Sequence, residues 1–306
     1  MNDRNDKPIT VYVAMTANLV IAAAKFIAAV VTGSSAMFAE GIHSLVDTIN
    51  ELLLLVGVRR SRRPADDLHP FGYGKELYFW SLVVAMTLFG IGGGLSIYKG
   101  VSHILNPVPI TDPVWNYIIL AVAFVSEGTS WTFARMALHR KFPGLGLLRS
   151  MKKSKDPTVF MVAGEDTTAL AGLVAAFFGV WLSHRYQNPY FDGVASVTIG
   201  LLLTAMAFFL ASETKKLLVG ERTEPEVIRH VEEISNRDPA VAKVRRSLTM
   251  HFGPHEILLA MDIEFDPALS ADELVQAVDR LESAIKDKHP KINRIFIEGK
   301  AFRPKG

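Results

Sequence analysis

The chain contains no cysteine. Disulfides and thiolate metal sites are therefore excluded, and any metal must be held by His, Asp or Glu. Net charge is scarce as well, because 33 Lys and Arg against 31 Asp and Glu leave +2 over 306 residues. No broad basic field exists to attract nucleic acid, and none is expected as a partner. Charge is scarcest before residue 213, where apolar runs are long enough to cross a hydrocarbon core of roughly 30 Å. No nucleophile motif stands out, so an enzyme is not expected. The opening Met-Asn-Asp-Arg-Asn-Asp-Lys carries both signs and leads into a full-length apolar run, a pattern of neither a cleavable signal nor an acid-poor transit peptide.

The apolar runs predict six helical spans at roughly 10–31, 34–58, 77–100, 114–138, 157–183 and 193–212. Gly33-Ser34-Ser35 makes a short turn between the first two, while Asn106-Pro107-Val108-Pro109, Asp112-Pro113 and Asn188-Pro189 stop helices in later loops. Basic residues set the orientation. Arg59, Arg60, Arg62 and Arg63 follow span two, and Arg140, Lys141, Arg149, Lys152, Lys153 and Lys155 follow span four, whereas the opposite loops carry Arg185 and little else. Both termini are thus expected in the cytoplasm of a multi-pass protein, in a bacterial inner membrane.

Ionisable groups inside a bilayer are costly and so are functional suspects. Counting 1.5 Å per residue, His43 and Asp47 of span two lie roughly 14 and 20 Å from the outer edge, and Glu127 of span four about 20 Å. Glu165 and Asp166 of span five lie about 12–14 Å from the inner edge. All fall near mid-membrane, together with Asn18 of span one. His43 and Asp47, four positions apart, share a helical face and form half a transition-metal site that span five can complete. The alternative is a set of polar groups that only hydrogen-bond between helices. Glu127 reads as an extra ligand, a proton carrier or a structural partner of span one. Lys25 and Glu51 are unusual, and their depths do not match for direct pairing. In the loop after span two, Asp66 and His69 suit a weak surface metal site or a capped turn equally well.

After Ser212 the chain reads as a soluble α/β domain. Helical spacing over Glu224–Asn236, alternation over Val241–Thr249 and Glu256–Phe265 around Phe252-Gly253-Pro254, an amphipathic stretch Ala271–Lys288 and a last strand Ile292–Glu298 give the order αββαβ. That order predicts a small α+β, ferredoxin-like domain over 213–306 beneath an all-α transmembrane domain over 1–212. His251, His255 and His289 fall on turns and read as exposed loop histidines.

Gly33-Ser-Ser-Ala-Met-Phe-Ala-Glu-Gly-Ile-His43-Ser-Leu-Val-Asp47, Asp66-x-x-His69-Pro-Phe-Gly-Tyr-Gly-Lys75, six spans and the αββαβ tail together resemble the cation diffusion facilitator family. The resemblance covers nearly the whole chain. It implies a homodimeric metal/proton antiporter working by alternating access, with its site between spans two and five. Typical members carry His-x-x-x-Asp in span five, but Val162 stands four before Asp166 here. Glu165-Asp166 resembles the branch of the family that includes mitochondrial zinc transporters of animals. The resemblance assigns metal-ligand roles to His43, Asp47 and Asp166, with Glu165 a candidate replacement for the missing histidine; Glu127 and Asn18, from their depth, and Asp66 and His69, from their loop, are accessory candidates. Some members complete a loop site with a second histidine where Tyr73 stands, and the tail positions that bind zinc in others are Arg245, Met261, Glu298 and Lys300, so no binuclear zinc cluster is expected there. No prosthetic group is implied. Zinc is the first expectation for the cargo, with manganese, iron, cobalt or magnesium as further candidates for a carboxylate-rich site. The partners are then metal ions, protons, lipid and a second copy. A non-transporting membrane scaffold or metal sensor is the alternative, and a metal-dependent membrane hydrolase ranks below it.

Overall fold

A computed structural model describes residues 8–300, and the charged N-terminal segment weighed above lies outside them. Among the described residues, five stretches are long and apolar enough to span a membrane: α2 (Ser35–Ser61), the run Glu76–Leu105, α5 (Val114–Lys141), α7 (Pro157–Tyr186) and α8 (Tyr190–Val219). The expected first span is α1 (Pro8–Thr32), whose described apolar stretch is Asn18–Thr32. The run Glu76–Leu105 consists of α3 (Glu76–Thr87), a π-helical segment Leu88–Gly94 and α4 (Leu95–Leu105). A short helix, α6 (Leu147–Lys153), lies in the basic loop before α7.

Chemistry at the helix ends explains the boundaries. Asp156 caps α7 by accepting from Thr158 N at 3.1 Å, and Pro157 occupies the first turn, where its missing N–H costs nothing. The start of α2 is capped from another helix. Asp192, buried near the start of α8, accepts from Ser34 Oγ at 2.6 Å and Ser35 Oγ at 2.7 Å, and its carboxylate lies against the positive end of the α2 dipole.

α2 is the most enclosed span, with 56% of its apolar window buried against 17% for α5. α2 therefore runs through the bundle interior, while α5 turns Val114, Ile118, Val122, Val125 and Phe133 outward. Those apolar side chains suit lipid. The π segment and α4 meet α8 at reciprocal glycines: a Cβ at Gly100 would stand 2.8 Å from Gly193 O, and one at Gly200 would stand 2.9 Å from Gly93 O. Side chains cannot fit at that spacing, so these helices pack backbone to backbone.

The tail comprises α9 (Pro225–Asn236), β1 (Val241–Gly253), β2 (Glu256–Phe265), α10 (Ala271–Lys288) and β3 (Ile292–Lys300). The sheet order is β1-β2-β3, with β1 antiparallel and β3 parallel to β2. Leu259, Met261 and Ile263 of β2 pack with Val231, Ala277, Leu281 and Ile285 in its core. Ser270 and Glu273 form a reciprocal capping box at the start of α10. The chain divides into two compact units, one of residues 1–59 and 79–215 and one of 60–78 and 216–306. The loop between α2 and α3 thus groups with the tail. Phe71 stacks on Phe252 of β1, with ring centroids 5.2 Å apart, and the backbone at Gly74 comes so close to the Phe252 carbonyl that a Cβ would collide with it.

Candidate metal centre

Four helices surround one polar cavity of about 60 Å³. Asn18 comes from α1; Asp47, Glu51 and Leu54 from α2; Ser126, Glu127 and Ser130 from α5; and Val162, Glu165 and Asp166 from α7. A lone water needs roughly 10–15 Å³ on a comparable measure, so the space suits an ion that keeps a few waters. Its polar lining is all oxygen apart from the Asn18 amide nitrogen, and it includes five carboxyl groups and no basic side chain.

Three of these carboxyl groups accept hydrogen bonds from neighbouring helices. Asn50 Nδ2 donates to Glu165 Oε1 at 2.7 Å, and Ser130 Oγ donates to Asp166 Oδ2 at 2.7 Å. The adjacent α7 acids, about 100° apart around their helix, are thereby drawn toward α2 and α5 respectively. Asn18 Nδ2 donates to Glu51 Oε1 at 3.1 Å, while Glu51 Oε2 and Asp47 Oδ1 are buried without a hydrogen-bond partner. Trp131 Nε1 donates to Thr167 Oγ1 at 3.0 Å and fastens α5 to α7 beside the acids.

Of the residues singled out from sequence, Asp47, Glu165, Asp166, Glu127 and Asn18 line this cavity. His43 does not. It is buried one turn away on α2, its Nδ1 3.4 Å from Asp47 Oδ1 and both ring nitrogens without a hydrogen-bond partner. Among the described residues, no three His, Asp or Glu side chains converge as a ready-made metal cluster. Asp66 and His69 lie elsewhere, in the loop after α2. There Asp66 accepts from the Leu68 and His69 backbone N–H groups and from Tyr73 Oη at 2.6 Å, the bonding of a closed turn. These bonds hold the Asp66 carboxyl below its usual range, Tyr73 contributing most. In the tail, Arg245 pairs with Glu264, Met261 is in the core and Lys300 pairs with Glu298. Sequence reasoning did not assign Asn50, Ser130 or Ser126, and it noted Glu51 without placing it at the site. One signal was available: Glu51 follows Asp47 by four positions, on the same helical face.

Apolar helices that turn carboxyl groups inward at depth define a multi-pass membrane protein of the class to which ion carriers belong. Within that class the chain belongs to the cation efflux family, the cation diffusion facilitators: the family model for the cation efflux transmembrane domain matches residues 11–219. The chain is 30% identical over 313 residues to the proton-coupled zinc antiporter SLC30A9, mitochondrial, of Xenopus laevis, covering 90% of this chain and 56% of the relative. It is 29% identical to the Homo sapiens protein of that name, of which it covers 55%. The chain thus spans little more than half the length of these relatives. The manganese efflux system protein MneP of Bacillus subtilis (strain 168) is 24% identical over 291 residues, with 93% of both chains covered. A solved structure of a MamM C-terminal domain variant matches 26% of this chain and 94% of its own, at 20% identity and a TM-score of 0.24.

Proposed function

We propose that the protein exchanges divalent metal ions for protons across a membrane by alternating access, with zinc the first substrate. The observation that carries this reading is the polar cavity lined by Asp47, Glu127, Glu165 and Asp166 from three helices. Carboxylates attract a divalent ion, and His43, one turn away, can join them by a rotamer change and favour zinc-like ions. Ligands must lose protons to bind metal, so loading releases protons and reprotonation expels the ion. Relatives named as proton-coupled zinc antiporters support the same coupling. The oxygen-dominated lining also admits manganese as a substrate, in keeping with the relative named for manganese efflux. The proposal extends to a homodimer with both termini in the cytoplasm, as the basic loops after α2 and α5 favour.

Purified protein in vesicles loaded with a pH-sensitive dye tests the reading. Zinc, manganese, iron, cobalt and magnesium gradients are imposed in turn. Zinc should drive the largest proton flux, opposite in direction to the metal. Metal entry without proton movement would remove the antiport, and no response to any of the five ions would remove transport.

A further inference from the structure

The cavity ends abruptly on one side. Its lining runs from Asp47 and Asp166 toward Leu54 on α2 and Val162 on α7, that is, toward the end of the bundle where α2 stops and α7 starts. In the other direction the next residues are closed. Ser44 and His43 are at most 3% exposed, and Glu40 and Lys25 are fully buried. Lys25 reaches from α1 to α2, its Nζ 2.9 Å from Glu40 Oε2 and 2.8 Å from Ser44 Oγ. Glu40 Oε1 has no hydrogen-bond partner and lies where a Cβ at Gly172 of α7 would come within 2.5 Å of it. Three helices therefore meet at an ion pair, two turns or about 10 Å along α2 from Asp47.

Stability alone is a poor reason for such a pair. Each buried ion loses its hydration, and packed apolar residues of similar volume commonly hold helices together as well or better. A fixed ammonium does one thing an apolar plug does not: it repels cations, and repulsion is strongest where water is excluded. Glu40 Oε2 and Ser44 Oγ both accept from the Lys25 ammonium and fix its position between α1 and α2.

We propose that Lys25, held by Glu40 and Ser44, is the barrier on the closed side of the metal site and stops protons and metal ions from crossing while the cavity is open at the opposite end. The assignment rests on the antiporter reading for its purpose but not for its test. Opening the closed side requires α1 and α7 to part from α2 at this level, so the barrier and the moving helices are one structure. Lys25 and Glu40 do not line the cavity and act on coupling, not on ligation.

The test uses the double variant Lys25→Met/Glu40→Gln, which leaves no unpaired buried charge. Vesicles with a potassium diffusion potential and an internal pH dye report proton leak without any metal. Leak should rise about tenfold over wild type, the change produced by lowering a barrier by about 1.4 kcal/mol, and the proton-to-metal ratio under a zinc gradient should fall. Wild-type leak together with a wild-type ratio would overturn the barrier. If wild-type protein moves no metal, the antiporter reading fails while the leak comparison still decides this one. Should the double variant not fold, the absence of native cysteine allows a second measurement. Ser44→Cys should react with a small charged thiol reagent at least about tenfold more slowly than Ser130→Cys, by the same conversion; equal rates would overturn the seal.

Discussion

At the residue scale, the metal-site reading turns on which side chains reach the cavity. His43, Asp47, Glu51 and Leu54 form one stripe along α2, at spacings of four, four and three. That stripe was legible in the sequence; where along it the cavity sits was not, because the neighbouring helices decide it. Glu51 is inside and His43 one turn outside for that reason. Depth counting brought Asn18, Glu127, Glu165 and Asp166 to one level. It did not find Asn50 or Ser130, since an interhelical hydrogen bond depends on helix rotation as well as depth. Lys25 finds its partner in Glu40, an acid that lay unremarked within the span-two motif. Two outcomes follow for transport in vesicles. Asp166→Ala should impair metal-driven proton flux more than Glu165→Ala, as the family resemblance implies in assigning the ligand role in span five to Asp166; equal tolerance of both would take α7 out of the site. Asn50→Leu removes the donor that holds Glu165, and a hydrogen bond contributes about 0.5–1.5 kcal/mol net. The apparent KM for metal should therefore rise by up to about tenfold with little change in maximal rate, while Asn50→Gln, which keeps an amide donor, should recover part of the loss.

At the scale of elements, apolar length made the spans readable, but helices do not end where apolarity ends. The sixth span was expected to stop at Ser212, yet α8 continues to Val219, because Glu213, Lys215 and Lys216 are good helix formers despite their charge. The π segment and α6 left no periodic trace, the first because four of its seven residues are glycine and the second because it is a two-turn piece. In the tail, β2 and α10 have the limits their alternation and amphipathic spacing predict, Glu256–Phe265 and Ala271–Lys288. The glycine contact between α4 and α8 gives a direct test. Gly100→Leu must push apart backbones already in contact, and overpacking costs about 1–3 kcal/mol. The detergent-solubilised protein should melt several degrees lower, and an unchanged melting temperature would contradict the close approach. In the tail, Arg280 donates to both oxygens of Asp238 at 3.0 Å and holds that carboxyl below its ordinary range. A folded value below the unfolded one gives stability that is present above the unfolded pKa of about 3.9 and is lost as pH falls through the folded value. Tail melting followed by circular dichroism should weaken below about pH 4, and Asp238→Asn should flatten that decline.

At the scale of the whole molecule, a linear reading assigns the loop between α2 and α3 to the membrane part because its neighbours are spans. The fold groups residues 60–78 with the tail instead, through Phe71, Phe252 and the close approach at Gly74. Such contacts join positions about 180 residues apart, beyond the reach of local pattern. Gly74→Val should dislodge the loop, and trypsin should then cut after Arg62 about tenfold faster if docking contributes at least about 1.4 kcal/mol. Across the molecule, the membrane part surrounds a small acidic cavity with apolar helices, and Asp47 stands at its head. The most direct measurement is zinc-driven proton flux through Asp47→Asn and wild-type protein, side by side in dye-loaded vesicles, with size-exclusion profiles confirming equal folding. Flux at the background of empty vesicles is the expected result for Asp47→Asn, and flux equal to wild type would contradict a metal path through these carboxylates.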